Sequence, residues 1–354
     1  MPSRGWTHDR TATPDETPVE APVFIIGAGF NVDAVREAGP IFGDSIYIGR
    51  HQIRCGYPVV GDLARLCFGL ESPPVDRSIE DLFQEAAERR DREPVRRLAN
   101  ELSKADYYLS HALIFENEGN SYAAFFRQFH RSHFLSFNYD ALVELFLMSH
   151  QAWFPTDGYG VPAEVGVIVG HEDWRERRSS SKVLHLHGSL CLFSSLFDVR
   201  AGDRPGHAHL EMREQPRYHF DPHSIGHCFT PFERAPLPLG FERPEERIIA
   251  PAPSKSTGLV HEFIQAGFAH ARRLLESSRD PVVSIGYSFN EHDRESYDPL
   301  LSALRSNRSP KLAVVSPQAE QIRDRLSSDY PGVEVLAEPY TFSEWVAAGY
   351  PGAT

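Results

Sequence analysis

Residues 23–29 read Val-Phe-Ile-Ile-Gly-Ala-Gly. A short apolar run ending at a Gly-rich turn is how a buried parallel strand meets its loop. The same signature returns downstream. The pattern predicts strands over His133–Phe137, Val183–His187, Pro281–Ile285, Leu312–Val315 and Val333–Leu336. Between them it predicts helices over Ala141–Met148, Leu259–Glu276, Tyr297–Arg305 and Gln318–Ser327, with Thr341 or Ser343 capping a last helix through Trp345. Ser45–Ile48 is a candidate second strand. Strands alternating with helices predict an α/β fold, a doubly wound, Rossmann-like, mostly parallel sheet.

Two stretches interrupt the alternation. From about 78 to 130 the apolar spacing turns helical. Ser78 and Asp81 form a capping-box start, and Ile79, Leu82, Phe83 and Ala86 share one face. Val95, Leu98, Leu102, Ala105 and Leu109 form a second face, and Tyr122, Phe125, Phe126 and Phe129 a third, so a helical insertion of three helices is expected. From about 193 to 247 the chain is rich in Pro, Arg and His without a sustained period, which predicts a long irregular insertion or lid. Residues 1–20 read as a disordered tail, leaving one Rossmann-type domain over 21–350 with no internal repeat.

The bulk numbers bound the function. At 354 residues and 41% hydrophobic content the chain supports a real core. Its formal charge of −13, from 49 acidic and 36 basic residues, argues against direct nucleic-acid binding. The cysteines Cys55, Cys67, Cys191 and Cys228 are scattered, with no C-x-x-C pair, which fits free thiols in a reducing cytosol. No apolar leader core and no stretch of transmembrane length is present, so a cytoplasmic protein with no membrane partner is expected.

Several residue groups fall at strand ends, where open α/β sheets bind ligands. Gly27-Ala28-Gly29 lets the backbone approach a pyrophosphate, and the following helix start supplies N–H donors. The third glycine of the dinucleotide fingerprint is missing, since position 32 is Val, and no acidic residue ends the candidate strand near Ile48, where Arg50 and Arg54 lie. An ordinary dehydrogenase site is therefore poorly supported. Asn138 and Asp140 follow the 133–137 strand, where an Asn can position water or a ribose hydroxyl and an Asp can accept from a carboxamide. Either could equally cap the helix after them.

His185 and His187 lie two apart on one strand and so are expected to share a face. A strand-end His suits a general base, and a structural role or an H-x-H metal pair are the alternatives. Gly286-Tyr287-Ser288-Phe289 and Val315-Ser316-Pro317 mark the edge where an adenosine half would lie; ordinary ligand-free loops would read the same way. The insertion histidines His207, His209, His219, His223 and His227 with Cys228 match no zinc spacing, and no metal is expected.

In chain order, Gly27-Ala28-Gly29, Phe137-Asn138-Tyr139-Asp140, His187-Gly188, Gly286-Tyr287-Ser288 and Val315-Ser316-Pro317 resemble the sirtuin superfamily over about residues 22–318. The Phe-Asn-Tyr-Asp and Gly-Tyr-Ser-Phe forms look more like those of the sirtuin-like NAD-hydrolysing effectors of bacterial antiphage defence than those of the deacylases. The resemblance implies that Asn138 and His187 are catalytic and that Asp140 contacts the nicotinamide carboxamide. It also implies that Gly27, Ala28, Gly29, Asn31, Gly286, Ser288 and Ser316 hold the dinucleotide. Two departures stand out: the paired-cysteine zinc module of sirtuin deacylases is replaced by single Cys191 and Cys228, and Asn31 stands where a Ser often does.

The expected activity is an NAD+ glycohydrolase, with NAD as substrate, cleaving the nicotinamide–ribose bond to nicotinamide and ADP-ribose and depleting NAD during infection. The alternatives are an NAD-dependent protein deacylase and a non-enzymatic NAD or ADP-ribose sensor. No sensor domain is visible, so a homo-oligomer or a separately encoded sensor or motor protein is the expected partner.

Overall fold

The computed structural model describes residues 21–42, 45–48, 51–54, 57, 60–72, 77–115, 119–165, 177–201, 208–220 and 262–353. The tail over 1–20 and the insertion beyond 220 lie outside them. The described strands are β1 (Val23–Ile26), β2 (Ser45–Ile48), β3 (His51–Arg54), β4 (His133–Ser136), β5 (Ala163–Val165), β6 (Val183–His185), β7 (Leu192–Ala201), β8 (Ala208–Phe220), β9 (Val282–Ile285), β10 (Lys311–Val315) and β11 (Glu334–Glu338). The described α-helices of the first half are α1 (Ala28–Phe42), α2 (Val60–Phe68), α3 (Ile79–Glu88), α4 (Glu93–Ser110), α5 (Ser121–Phe129), α6 (Leu142–Ser149) and α7 (Pro155–Gly158). Those of the second half are α8 (Glu262–Ser277), α9 (Arg294–Arg305), α10 (Ala319–Asp329) and α11 (Phe342–Ala347).

Six strands form one all-parallel sheet in the order β11-β10-β9-β1-β4-β6. Numbered as the chain meets them, this is the doubly wound order 3-2-1-4-5-6, with its switch point between β1 and β9. Val23 and Ile25 pack on one face with Leu135, Leu184 and Leu312. Phe24 and Ile26 pack on the other with Phe134, Val183 and the α5 aromatics Phe125 and Phe126. Burial on both faces is why these strands read as continuous apolar runs rather than alternating ones.

The register levels the strand ends. Ile26 pairs with both Ser136 and Ile285, Ser136 with His185, and Ile285 with Val315. The ladder continues one residue further through Gly27 N to Ile285 O, Phe137 N to Ile26 O, Leu186 N to Ser136 O and Gly286 N to Val315 O. Residues distant in sequence thus leave the sheet at one height along one edge.

The helical insertion forms as its periodicity predicts. Asp81 N donates to Ser78 Oγ and Ser78 N to Asp81 Oδ2, closing the capping box of α3. The three apolar faces are buried, with Val95 only half-buried. The helical module also begins earlier than expected, at α2, which packs on α4.

Three expectations need correction. β2 is a strand, but it pairs antiparallel with β3 in its own two-stranded sheet. The strand beside β1 is β4, so the dinucleotide-type acidic position cannot be judged from Ile48, Arg50 or Arg54. The start of the 193–247 insertion is not irregular: β7 and β8 form an antiparallel hairpin, with β5 parallel to β8. A register shift between Ser195 and Phe197 breaks the period of two, which hides the hairpin from sequence. Finally, His185 and His187 do not share a face. β6 ends at His185, and the chain turns through Gly188 at φ +91°, so the strand period no longer applies at His187.

Among the described residues no helix is long and apolar enough to cross a membrane.

Candidate active site

A cavity of about 700 Å³ opens over the carboxyl ends of the parallel strands, at the switch point. Gly27, Ala28 and Gly29 line it from the β1–α1 turn, and Gly286 and Ser288 from the loop after β9. Asn138 and His187 line it from the ends of β4 and β6, and Ser316 from the end of β10. The helical module contributes Leu63, Glu80, Leu98 and Leu102.

The glycines have a reason within the protein itself. A Cβ at Gly27 would stand 2.5 Å from the Tyr287 Cα, and one at Gly29 2.8 Å from the Gly286 Cα. Gly286 holds φ +63° with its Cα against the Gly29–Phe30 backbone. The Gly29 amide donates to Gly286 O at 2.9 Å, locking the two loops together. Close backbone approach therefore serves loop–loop packing, while Ala28 and the helix start face the cavity.

Asn138 is nearly buried, and its polar atoms are strongly oriented. Its Nδ2 donates to Gly27 O at 3.1 Å, and its backbone N–H donates to Ser136 Oγ at 3.2 Å. One amide N–H is committed to a carbonyl, which fixes the side chain and leaves Oδ1, an acceptor suited to a hydroxyl or water proton, alongside the second N–H. His187 packs edge-on to Phe137 at 4.9 Å, and its Nε2 lies 3.1 Å from Ser296 Oγ on α9. That hydroxyl holds the ring in place, and it can pair with Nε2 in either tautomer because it both donates and accepts. Phe137 in turn stacks on Tyr287 with ring centres 4.1 Å apart. The result is a rigid aromatic wall behind one imidazole.

Asn31 and Asp140 are not brought to the cavity wall. Asn31 Nδ2 donates to Asp140 Oδ2 at 2.5 Å, the Tyr57 hydroxyl donates to the same oxygen at 3.2 Å, and Leu142 N donates to Oδ1 at 3.2 Å. The pair braces the wall from behind, and Tyr57 itself lines the cavity. Burial pushes the Asp140 carboxyl pKa up, and the nearby Glu144 charge adds to that. Asp140 is also the acidic residue that follows β4, the strand beside β1. At the other end Ser316 Oγ accepts from Gln318 N at 3.2 Å, as an ordinary turn would arrange.

Several residues of this region escaped the sequence reading. Ser296 and Tyr57 meet His187 and Asp140 only through the tertiary fold. Glu144 did carry a signal: it is the lone acidic residue in the apolar run Ala141–Met148, and it is fully buried. Its Oε1 lies 2.6 Å from His185 Nε2 and accepts the Tyr159 hydroxyl at 3.0 Å. Among the described residues no group of three or more His, Cys, Asp or Glu side chains is placed to hold a metal ion. His207, His223, His227 and Cys228 lie outside those residues, and His209 and His219 lie on β8. Of the cysteines, Cys67 and Cys191 are buried free thiols, and burial pushes the Cys67 pKa up to about 12. No protein-family model matches the chain, and no curated protein matches it.

Proposed function

We propose that this protein hydrolyses NAD+ at the nicotinamide–ribose bond, as the sirtuin-like antiphage effectors it resembles do. The observation that carries the reading is the meeting of Asn138 and His187 on one cavity wall beside the Gly27–Gly29 turn. An acceptor and an imidazole at a switch-point cleft suit a reaction in which water must be oriented and deprotonated. The bond from ribose C1′ to the pyridinium nitrogen breaks, and its electron pair leaves with neutral nicotinamide. The water oxygen bonds to C1′ of the oxocarbenium-like centre. Asn138 Oδ1 orients that water, and His187 takes its proton, giving ADP-ribose and one proton in all.

Asp140 acts in this reading through Asn31 and Tyr57 rather than by touching the carboxamide. NAD depletion in a defence setting, with a homo-oligomer or a separate sensor or motor protein as trigger, belongs to the same proposal. The test is nicotinamide release by the purified full chain without any acyl-peptide. Wild-type turnover lost about 10²–10⁴-fold in both Asn138→Ala and His187→Ala is the expected result. Turnover only with an acyl-peptide would favour a deacylase. Tight binding of NAD without turnover would favour a sensor.

A further inference from the structure

Behind the cavity wall lies a buried group that the proposed chemistry does not use. His185 and Glu144 have side chains 1% and 0% exposed. His185 Nδ1 lies 2.8 Å from the backbone carbonyl oxygen of Asn138, and Nε2 lies 2.6 Å from Glu144 Oε1. The proton count follows from these contacts. A backbone carbonyl only accepts, so Nδ1 carries hydrogen. Two facing lone pairs would repel at 2.6 Å, so a proton also lies between Nε2 and Oε1. Oε1 also accepts the Tyr159 hydroxyl, so an imidazolium against a carboxylate fits the contacts at Nδ1, Nε2 and Oε1, while Glu144 Oε2 is buried with no hydrogen-bond partner among the described residues.

From this geometry we infer that His185, held as an imidazolium between the Asn138 carbonyl and Glu144, is a positioning residue that fixes the Asn138 loop in its working place. The inference rests on the reading of Asn138 as the water-orienting residue. Asn138 directly precedes Tyr139 of the cavity wall, and its carbonyl also accepts the Ser136 hydroxyl at 3.2 Å. Ser136 supplies a neutral hydrogen bond; His185 supplies the charge-assisted one, which is roughly twice as strong. Loss of the His185 proton leaves the Asn138 carbonyl with the Ser136 hydroxyl alone, or Glu144 Oε1 with the Tyr159 hydroxyl alone, and removes the charge-assisted bond from a dry core.

The groups that face the ring are Glu144 from α6, Asp140 from the loop before it, and Tyr159, whose ring centre is 5.9 Å away, from beyond α7. Cys191 stands near Tyr159, with its Sγ 3.9 Å from Asp106 of α4. These neighbours are acidic or neutral. Burial by itself lowers the His185 pKa, but the charge and hydrogen bond of Glu144, the Asn138 carbonyl and the Asp140 charge together raise it, so the net shift is upward.

The experiment pairs activity with a substrate-free readout. In His185→Gln, which donates without titrating, kcat for nicotinamide release should fall about 100-fold, as a misplaced reacting group does, while KM changes little. The wild type should lose kcat on the alkaline side, and that decline should disappear in the same variant. Glu144→Gln serves as a second variant should His185→Gln not fold. Imidazole ¹⁵N resonances of the full-length wild type, recorded without NAD, should show both nitrogens of His185 protonated at neutral pH. They should move together with the Asn138 region on alkaline titration.

A neutral His185 ring in those spectra overturns the inference whatever the enzyme does. Full kcat with an unchanged pH profile in His185→Gln overturns it too. A wild type that releases no nicotinamide would instead sink the hydrolase reading. The ring spectra would then decide alone whether His185 clamps the loop.

Discussion

The two halves of the sheet differ in what they bury. The β1-β4-β6 half encloses Asn31, Asp106, Asp140, Glu144 and His185, each at or near zero exposure. The β9-β10-β11 half buries hydroxyls instead, Ser284, Ser296 and Ser316, and keeps charged side chains at the surface, as in the Arg294–Glu291 and Lys311–Glu334 pairs. A buried ion pair is costly to desolvate and often no better for stability than an apolar replacement. A chain that concentrates such groups behind one stretch of cavity wall, and leaves the other stretch with serines, has an electrostatically organised end and a merely shaped end. In the proposed reaction the first holds the bond that breaks, and the second holds the rest of the dinucleotide.

The sharpest way to break this contrast is to strip the charge from the first half. Glu144→Ala should destabilise the fold by about 3–5 kcal/mol, read as a lower urea midpoint, because it leaves the His185 imidazolium buried without its partner. The same pair gives the contrast a pH signature. Folding raises the His185 pKa, so its contribution is full below about pH 6.5 and is lost as pH rises through the folded value. Asp140, also raised, works in the same direction, since the folded state holds its proton the more tightly. Wild-type stability should therefore decline on the alkaline side. In Glu144→Gln that decline should be smaller; an identical decline would mean that the pair does not control it.

Where the halves meet, Gly286→Ala should cost more than 1 kcal/mol. It forces a side chain into φ +63° and into the backbone of Phe30. Thermal unfolding would measure this, and a variant as stable as the wild type would show that the two loops are not locked together. The smallest effect belongs to α11, which follows β11 and packs on α1 and α5. Thr341→Ala removes the capping box of α11, whose hydroxyl accepts from Glu344 N, and should cost about 1 kcal/mol. It should leave nicotinamide release per folded molecule close to wild type, because the Thr341 hydroxyl is engaged by the Glu344 amide. A loss of stability comparable to Glu144→Ala would show that a surface cap matters as much as the buried pair.

Much of this was legible from residues alone. The apolar runs at Val23–Ile26, Val282–Ile285 and Lys311–Val315 announce strands because both their faces are buried. The helical faces of α3, α4 and α5 appear at their proper spacing because each meets the core along one stripe. The hairpin β7–β8 stayed hidden because its bulge shifts the parity of one strand. β2 was recognised as a strand but its neighbour was not, since pairing partners are chosen by the whole sheet and not by the strand.

The same division runs through the site. Local sequence determined that Gly27, Asn138, His187, Gly286 and Ser316 each stand just past a strand, because strand ends are written in short-range patterns. Tertiary structure decided that His187 faces the cavity and His185 faces Glu144, although they are two residues apart. It also turned Asn31 and Asp140 toward each other behind the wall. Side-chain direction at a strand end depends on where the last ladder hydrogen bond falls, and that is settled by register with strands from distant parts of the chain.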